Sequence, residues 1–493
     1  MRLNDFLAQL EIDAVSANGD IEVEKIAERG EEISENSLLI LVKRLSELRK
    51  YYNGEGYRVP IAVLCDSDTV VENCACPIIR LPSPRRALSY AYSMLYGIDY
   101  DKLKVIGVTG TNGKTTTATL IEKILTFSKK SVGFIGTGTI SIGGRIISDD
   151  DYSMTTPDPK LLYSSLSEMM KEGCEYCVME VSSHSLALEK TAPIVFELAV
   201  FTNLSSEHSD FHPSMEEYFQ TKLKLFKSAR RGVFNVDDPY GKRAAELFEK
   251  ESITVGIISP ASVSAFEIND HGENGYEYIY NGQSFKFLMR QRLPGAFNVY
   301  NVMSATAATI SLGVKPCDAR RAIAEIKGIC GRCEIIKDEI TVIIDYAHTP
   351  YALKNLLIFA RGIKGSGRLK VLFGCGGERD TKKRPEMARV AEKYADFITV
   401  TADNSRKEET ASIISDILLG FTENANVTVI PDREAAITEA IASASAGDVV
   451  LLVGKGAEKY NIDAGGTHPF DERAIVAEAI GKRRAAMENE NQA

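Results

Sequence analysis

No stretch of this chain approaches the roughly 18 consecutive apolar residues that a bilayer-spanning helix requires, and its opening, Met1-Arg2-Leu3-Asn4-Asp5-Phe6, lacks the apolar core of a signal peptide. A cytoplasmic protein with no membrane partner is expected. Basic residues are short as well: 58 Lys and Arg stand against 68 Asp and Glu, a net charge of −10. No cationic excess is left to displace counterions from a polyanion, which argues against nucleic acid as a partner. The nine cysteines are odd in number and nowhere dense, as suits a reducing compartment. Cys174 with Cys177 and Cys330 with Cys333 have Cys-x-x-Cys spacing, but the first pair flanks an apolar strand and the second flanks Arg332. Both pairs read as buried or incidental thiols rather than zinc ligands. Tandem repeats, low-complexity segments and any Ser-His-Asp or Cys-His arrangement are missing too.

What is present is ordered around Lys104 to Thr117. A β-branched apolar run (Val105, Ile106, Val108) stops at Gly110-Thr111-Asn112-Gly113, and helix formers with apolar spacing (Ala118, Leu120, Ile121, Ile124, Leu125) follow Lys114-Thr115-Thr116. Strand, loop and helix in that order let backbone N–H groups and a helix N-terminus face an anion, with Lys114 neutralising phosphate and the Thr115 hydroxyl reaching a Mg²⁺. Gly107 and Gly113 are separated by five residues, so the strict P-loop spacing fails while its Gly-Lys-Thr end survives. The stretch reads as a nucleotide-triphosphate cradle; an ordinary strand-to-helix turn is the alternative.

The 493 residues are too many for one core and suggest about three domains. Residues 1–100 read as a small α/β unit with no catalytic constellation. Residues 101–332 alternate strands and helices, which implies an α/β domain with a mostly parallel sheet, and Asn281-Gly282 reads as a two-residue hairpin turn. Residues 333–493 form a further Rossmann-like α/β unit. Its strands Thr341–Ile344, Leu369–Phe373, Phe397–Val400 and Asp448–Val453 run into polar or glycine-rich clusters, which a parallel sheet collects on one edge. The tail from Met487 is polar and expected to fray.

Several strand ends carry candidate chemistry. Glu180 closes the strand Tyr176–Met179 and is placed as a Mg²⁺ ligand, or caps the next helix; His208 follows the strand Ala199-Val200-Phe201. Lys222 lies on the apolar face of a helix from Ser214, among Met215, Tyr218, Phe219, Leu223 and Phe226. A desolvated amine can react with CO₂ to give an anionic carbamate, although a snorkelling lysine is the blander reading. Asn298 and Asn301 share a helix face and can read an adenine edge or cap the helix start. Arg332 and Asp345 straddle the junction before the last unit and suit a nucleotide clamped between domains.

These pieces, in this order, resemble the Mur ligase family, and within it the UDP-N-acetylmuramoyl-tripeptide synthetases. The resemblance is carried by Gly110 to Thr116, Thr155-Thr156-Pro157, Glu180-Val-Ser-Ser-His184, Phe201-Thr-Asn-Leu with His208, and Tyr218-Phe-Gln-Thr-Lys222. Gly295 to Asn301, Asp345-Tyr-Ala-His-Thr-Pro350 and Gly374-Cys-Gly-Gly377 extend it over roughly residues 100–475. It implies an ATP-dependent amide ligase of peptidoglycan precursor synthesis, acting through an acyl phosphate on a UDP-MurNAc-dipeptide and a diamino acid. It implies ATP held by Gly110, Thr111, Asn112, Gly113, Lys114, Thr115 and Thr116, with Asn298, Asn301, Arg332 and Asp345. It further implies two Mg²⁺ held by Thr115, Glu180 and His208, a carbamylated Lys222 beside them, and Thr155, Thr156 and Ser182 on the UDP substrate. Lys114, Lys222, Glu180 and His208 are then the catalytic group, in a chain expected to be monomeric.

The same resemblance assigns the amino acid to Asp403, Asn404, Arg406, Gly454 and Glu458. Arg406 would pair the distal carboxylate of meso-diaminopimelate, which L-lysine lacks, and Glu458 the distal ammonium. The family's Asp-Asn-Pro-Arg reads Asp403-Asn404-Ser405-Arg406 here, Ala457 replaces a histidine, and the Asp-Ser-Arg of the uridine side is missing near Glu31-Glu32-Ile33-Ser34. Alternatives are the L-lysine-adding ligase, a related ligase with another carboxylate acceptor, and a nucleotide-dependent switch or binding protein.

Overall fold

The computed structural model describes residues 1–12, 21–42, 59–69, 76–148, 154–207 and 211–492. The chain divides into two compact units: Met1–Thr109 with Lys129–Ala199 and Gln220–Gly232, and Gly110–Ser128 with Val200–Phe219 and Val233–Ala493.

The first unit opens with four short parallel strands in sequential order, Lys25–Ala27, Ser37–Ile40, Ala62–Cys65 and Ile78–Arg80. Ser37–Ile40 and Ala62–Cys65 are buried at every position, as strands covered on both faces must be. Helix Pro84–Leu95 starts where Ser83 Oγ accepts from Arg86 N and a proline occupies the first turn. Strands Lys104–Thr109, Tyr176–Glu180 and Val132–Gly136 then pair in parallel, with Thr139–Ile142 and Arg145–Ser148 added antiparallel. Val108 stands in register with Glu180.

In the second unit, helix Lys114–Phe127 packs on helix Phe297–Ser311. Strands Tyr276–Asn281 and Lys286–Gln291 form the expected hairpin, but Asn281 pairs with Lys286. The turn therefore spans residues 282–285, closed by Gly282 N donating to Phe285 O at 2.9 Å, rather than two residues. The Phe285 ring stacks on Tyr280 and Phe287, and that aromatic packing explains the longer loop.

The last sheet has six strands in the order Glu334–Lys337, Thr341–Asp345, Val449–Val453, Leu369–Phe373, Phe397–Val400, Val427–Val429, all parallel except the first. Side chains alternate between two cores. Ile343, Leu451 and Val453 pack with Leu353, Leu357, Met387 and Ile417, while Val342, Ile344 and Leu452 pack with Ile437, Ile441 and Val476. Helix Glu472–Gln492 runs through the polar tail expected to fray, since no glycine or proline interrupts the Ala, Met and Glu of that stretch after Gly481. Among the described residues, no helix is long and apolar enough to cross a membrane.

Candidate active site

The phosphate loop follows strand Lys104–Thr109 and opens helix Lys114–Phe127, as its sequence requires. Gly110 has φ +145°, and a Cβ there would lie 1.9 Å from Thr202 Oγ1; Gly113 has φ +82°, and its Cβ would lie 2.5 Å from Asn301 Oδ1. Only glycine fits both positions. The loop is stapled to the residues after strand Phe196–Phe201: Asn112 N donates to Asn203 Oδ1 (3.0 Å), Asn203 Nδ2 donates to Asn112 O (3.0 Å), and Thr202 Oγ1 donates to the same carbonyl (2.7 Å). Lys114 Nζ arches back over the loop to the carbonyls of Gly110 (2.9 Å) and Thr111 (2.8 Å). Thr116 is buried.

Asn298 and Asn301 face inward rather than capping the helix. Asn301 Nδ2 donates to Asn298 Oδ1 (2.8 Å), Asn298 Nδ2 to Pro294 O (2.7 Å), and Thr117 Oγ1 to Asn301 Oδ1 (3.3 Å). The pair thus ties its helix to the phosphate-loop helix. Arg332 Nη2 donates to Thr115 Oγ1 at 2.7 Å, and its guanidinium lies 4.4 Å over the Tyr346 ring. Asp345 accepts from Cys333 N and Ala347 N, both at 2.6 Å. Burial pushes the Asp345 carboxyl up, and the Arg332 charge only partly opposes that.

In the first unit, Glu180 is 0% exposed. Its Oε1 accepts from Thr137 N at 3.0 Å, and a Cβ on Gly136 would stand 2.6 Å from that oxygen. Thr156 Oγ1 donates to Glu180 O (2.9 Å) and accepts from Ser182 N (3.1 Å), while Thr137 Oγ1 donates to Thr155 Oγ1 (3.2 Å). Thr155, Thr156, Glu180 and Ser182 are therefore one cluster. Ser182 Oγ also caps helix Ser183–Ala187, so the cap alternative falls to Ser182 rather than to Glu180. Helix Met215–Lys227 carries Lys222, 1% exposed, with Lys224 and Lys227 exposed. His208 lies outside the described residues.

At the strand ends of the last sheet, Asn404 N donates to Asp403 Oδ1 (2.6 Å), and Asn404 Nδ2 donates to Glu458 Oε2 (2.9 Å). Gly454 has φ +118°, and its Cβ would lie 2.5 Å from Asp403 Oδ2. Arg406 adopts φ +53°, with its backbone N donating to Ile462 O (3.0 Å) and its Nη1 to Gly377 O (2.8 Å). Burial pushes Glu458 up, aided by Asp403 and opposed by Lys455. Asp403 itself is held below the usual carboxylate range: burial pushes it up, but Lys455 and Arg433 outweigh that.

The Mur ligase middle domain pattern matches residues 108–309 and the Mur ligase, glutamate ligase domain pattern matches residues 331–456. Over 490 residues, 98% of this chain and 100% of the relative, the sequence is 36% identical to the UDP-N-acetylmuramoyl-L-alanyl-D-glutamate--2,6-diaminopimelate ligase of Clostridioides difficile (strain 630). The chain belongs to the Mur ligase family. The Aquifex aeolicus (strain VF5) protein of the same name is 40% identical over 82% of this Mur ligase and 83% of its own length. A solved structure of a ligase with that name superposes with a TM-score of 0.66 at 27% identity, covering 98% of this chain and all of its own.

In this Mur ligase, the loop with its two required glycines at a helix N-terminus, and Lys114 folded back onto it, fits a polyphosphate. The Thr115 hydroxyl and the Glu180 carboxylate are hard oxygen donors of the kind Mg²⁺ takes alongside phosphate oxygens and water. Among the described residues, no group of three or more His, Cys, Asp or Glu is spaced to hold a metal by itself. Sequence reasoning left Thr202, Asn203, Tyr346 and Lys455 without roles. Thr202, Asn203 and Tyr346 stood within recognised motifs without a part of their own, and the distant partners of Lys455 leave no local signal.

Proposed function

We propose that this chain joins meso-2,6-diaminopimelate to UDP-N-acetylmuramoyl-L-alanyl-D-glutamate, using ATP, in the cytoplasm and as a monomer. The observation that carries the reading is the meeting of Arg406 and Glu458 around Asn404 at the strand ends of the last sheet, in a chain similar along 98% of its length to ligases of that name. A guanidinium and a carboxylate that both bond to Asn404 match the carboxylate and ammonium of a diamino acid's distal end. The L-lysine-adding reading leaves Arg406 without its anion.

The reaction has two steps. An acceptor carboxylate oxygen bonds to the γ-phosphorus of ATP as ADP leaves; the amine nitrogen then bonds to the acyl carbon as phosphate leaves and the amine gives up a proton. In this reading the N–H groups of the loop and Lys114 hold the phosphates and offset charge growing on the transferred oxygens. Arg332 orients Thr115, Asn298 and Asn301 brace the loop beside the adenine, and Asp345 anchors the turn that carries Tyr346. Thr155, Thr156 and Ser182 take the UDP-linked substrate. Two Mg²⁺, when bound, supply Lewis-acid stabilisation of phosphoryl charge, held by Thr115, Glu180, His208 and a carbamylated Lys222. The domain reading 1–100, 101–332 and 333–493 goes with these three roles.

The test is ATP-dependent phosphate release with UDP-MurNAc-L-Ala-D-Glu, comparing meso-diaminopimelate, L-lysine and no amino acid. Release with diaminopimelate alone is expected. Equal release with lysine would remove the role of Arg406, and no release with either would point to another acceptor.

A further inference from the structure

Lys455 is a charged group of the strand-end cluster that the proposed reaction does not use directly. Lys455 is 0% exposed, and its Nζ donates to Asn404 Oδ1 (2.6 Å) and to Tyr460 O (2.8 Å). Carboxylates of Asp403 and Glu458 each stand 3.8 Å away. An ammonium removed from water persists only among such partners.

The arrangement has two consequences. Asn404 Oδ1 accepts from both Lys455 Nζ and Ile462 N (2.9 Å), so its Nδ2 is turned toward Glu458 Oε2. A flipped carboxamide would set donor against donor at the ammonium and acceptor against acceptor at the carboxylate. The second consequence concerns charge. Burial and Asp403 push the Glu458 carboxyl up and Lys455 pulls it down, while Lys455 and Arg433 hold Asp403 below its ordinary range against burial; without Lys455 the two like charges would compete for a proton.

We propose that Lys455 is a positioning residue for the diamino acid: by fixing the Asn404 carboxamide and balancing one of two carboxylates, it aims Glu458 at the substrate's distal ammonium. The inference rests on the ligase reading above, in which Glu458 meets that ammonium. Lys455 itself touches no substrate.

The experiment is steady-state phosphate release by the full chain with diaminopimelate varied, for wild type, Lys455→Met, Glu458→Gln and the double variant. Lys455→Met is expected to raise KM for diaminopimelate about tenfold or more, with KM for ATP and for the UDP-linked acceptor within about twofold. The double variant is expected to be no worse than Glu458→Gln alone, because one acts through the other. Equal losses on all three substrates, or single effects that multiply in the double variant, overturn the proposal. Asn404→Asp keeps the cationic partner and tests the same orientation if Lys455→Met does not fold; an unchanged KM for diaminopimelate there overturns it too. A wild type that releases phosphate with no diamino acid overturns the ligase reading beneath, whereas an active wild type with indifferent variants overturns only the role of Lys455.

Discussion

Lys222, 1% exposed on an apolar helix face, poses the sharpest question at the scale of single residues. If it works as a carbamate, Lys222→Ala should lose at least about a hundredfold in rate while the helix content by circular dichroism is kept, and small carboxylates such as acetate should restore part of the rate. Full activity in the variant would sink the idea. Asp403 offers a prediction in pH. Its folded value lies below its ordinary one, so the ionised group stabilises the fold above the ordinary carboxylate range, and that contribution is lost as pH falls through the lowered value. Asp403→Asn should therefore destabilise the protein in urea near neutral pH and progressively less toward about pH 3. A difference that does not change with pH would contradict this account. Arg406→Ala should narrow the preference for diaminopimelate over lysine, read as the ratio of kcat/KM values, by about tenfold or more.

Between the turn bearing Arg332 and the loop bearing Glu458, backbone approaches backbone closely. Gly331 has φ +63°, and a Cβ there would stand 2.1 Å from Ala457 N; Gly456, at φ +53°, would place one 2.8 Å from Gly331 O. The turn bearing Arg332 and the loop bearing Glu458 thus lie backbone to backbone, and Tyr346 N donates to Gly331 O at 3.1 Å. Gly331→Ala is expected to cost about 2 kcal/mol or more of stability, from left-handed strain plus overlap. Gly313→Ala serves as its comparison, since Gly313 has φ +92° but nothing within 4 Å of the added Cβ, and should cost nearer 1 kcal/mol, roughly. Equal shifts in the denaturation midpoints would mean that overlap contributes nothing. The phosphate-loop helix was legible in sequence because its turn chemistry is local: glycines, Lys114 and Thr115 are adjacent along the chain. The tie from Asn301 to the phosphate-loop helix was not, because its partner Thr117 is 184 residues away.

For the whole molecule, binding is linked to stability. An ATP analogue with Mg²⁺ at about 100 times its Kd should stabilise the native chain by about 2.7 kcal/mol, seen as a raised Tm, and Arg332→Ala should shrink that gain. No rise at any concentration would count against nucleotide binding. Sequence alone located the strands and helices on which it placed the site, because apolar periodicity and turn residues are local properties, and the strands expected at 369–373 and 397–400 have those bounds in the structure. It also picked out the strand ends where polar residues gather, as parallel sheets collect them. Only the tertiary structure decided that strand Val449–Val453 inserts between Thr341–Asp345 and Leu369–Phe373, bringing Glu458 beside Asn404. It likewise decided the buried company of Lys455. Neighbours in a sheet and partners of a buried charge are chosen by contacts between residues far apart in the chain, about which local periodicity carries no information.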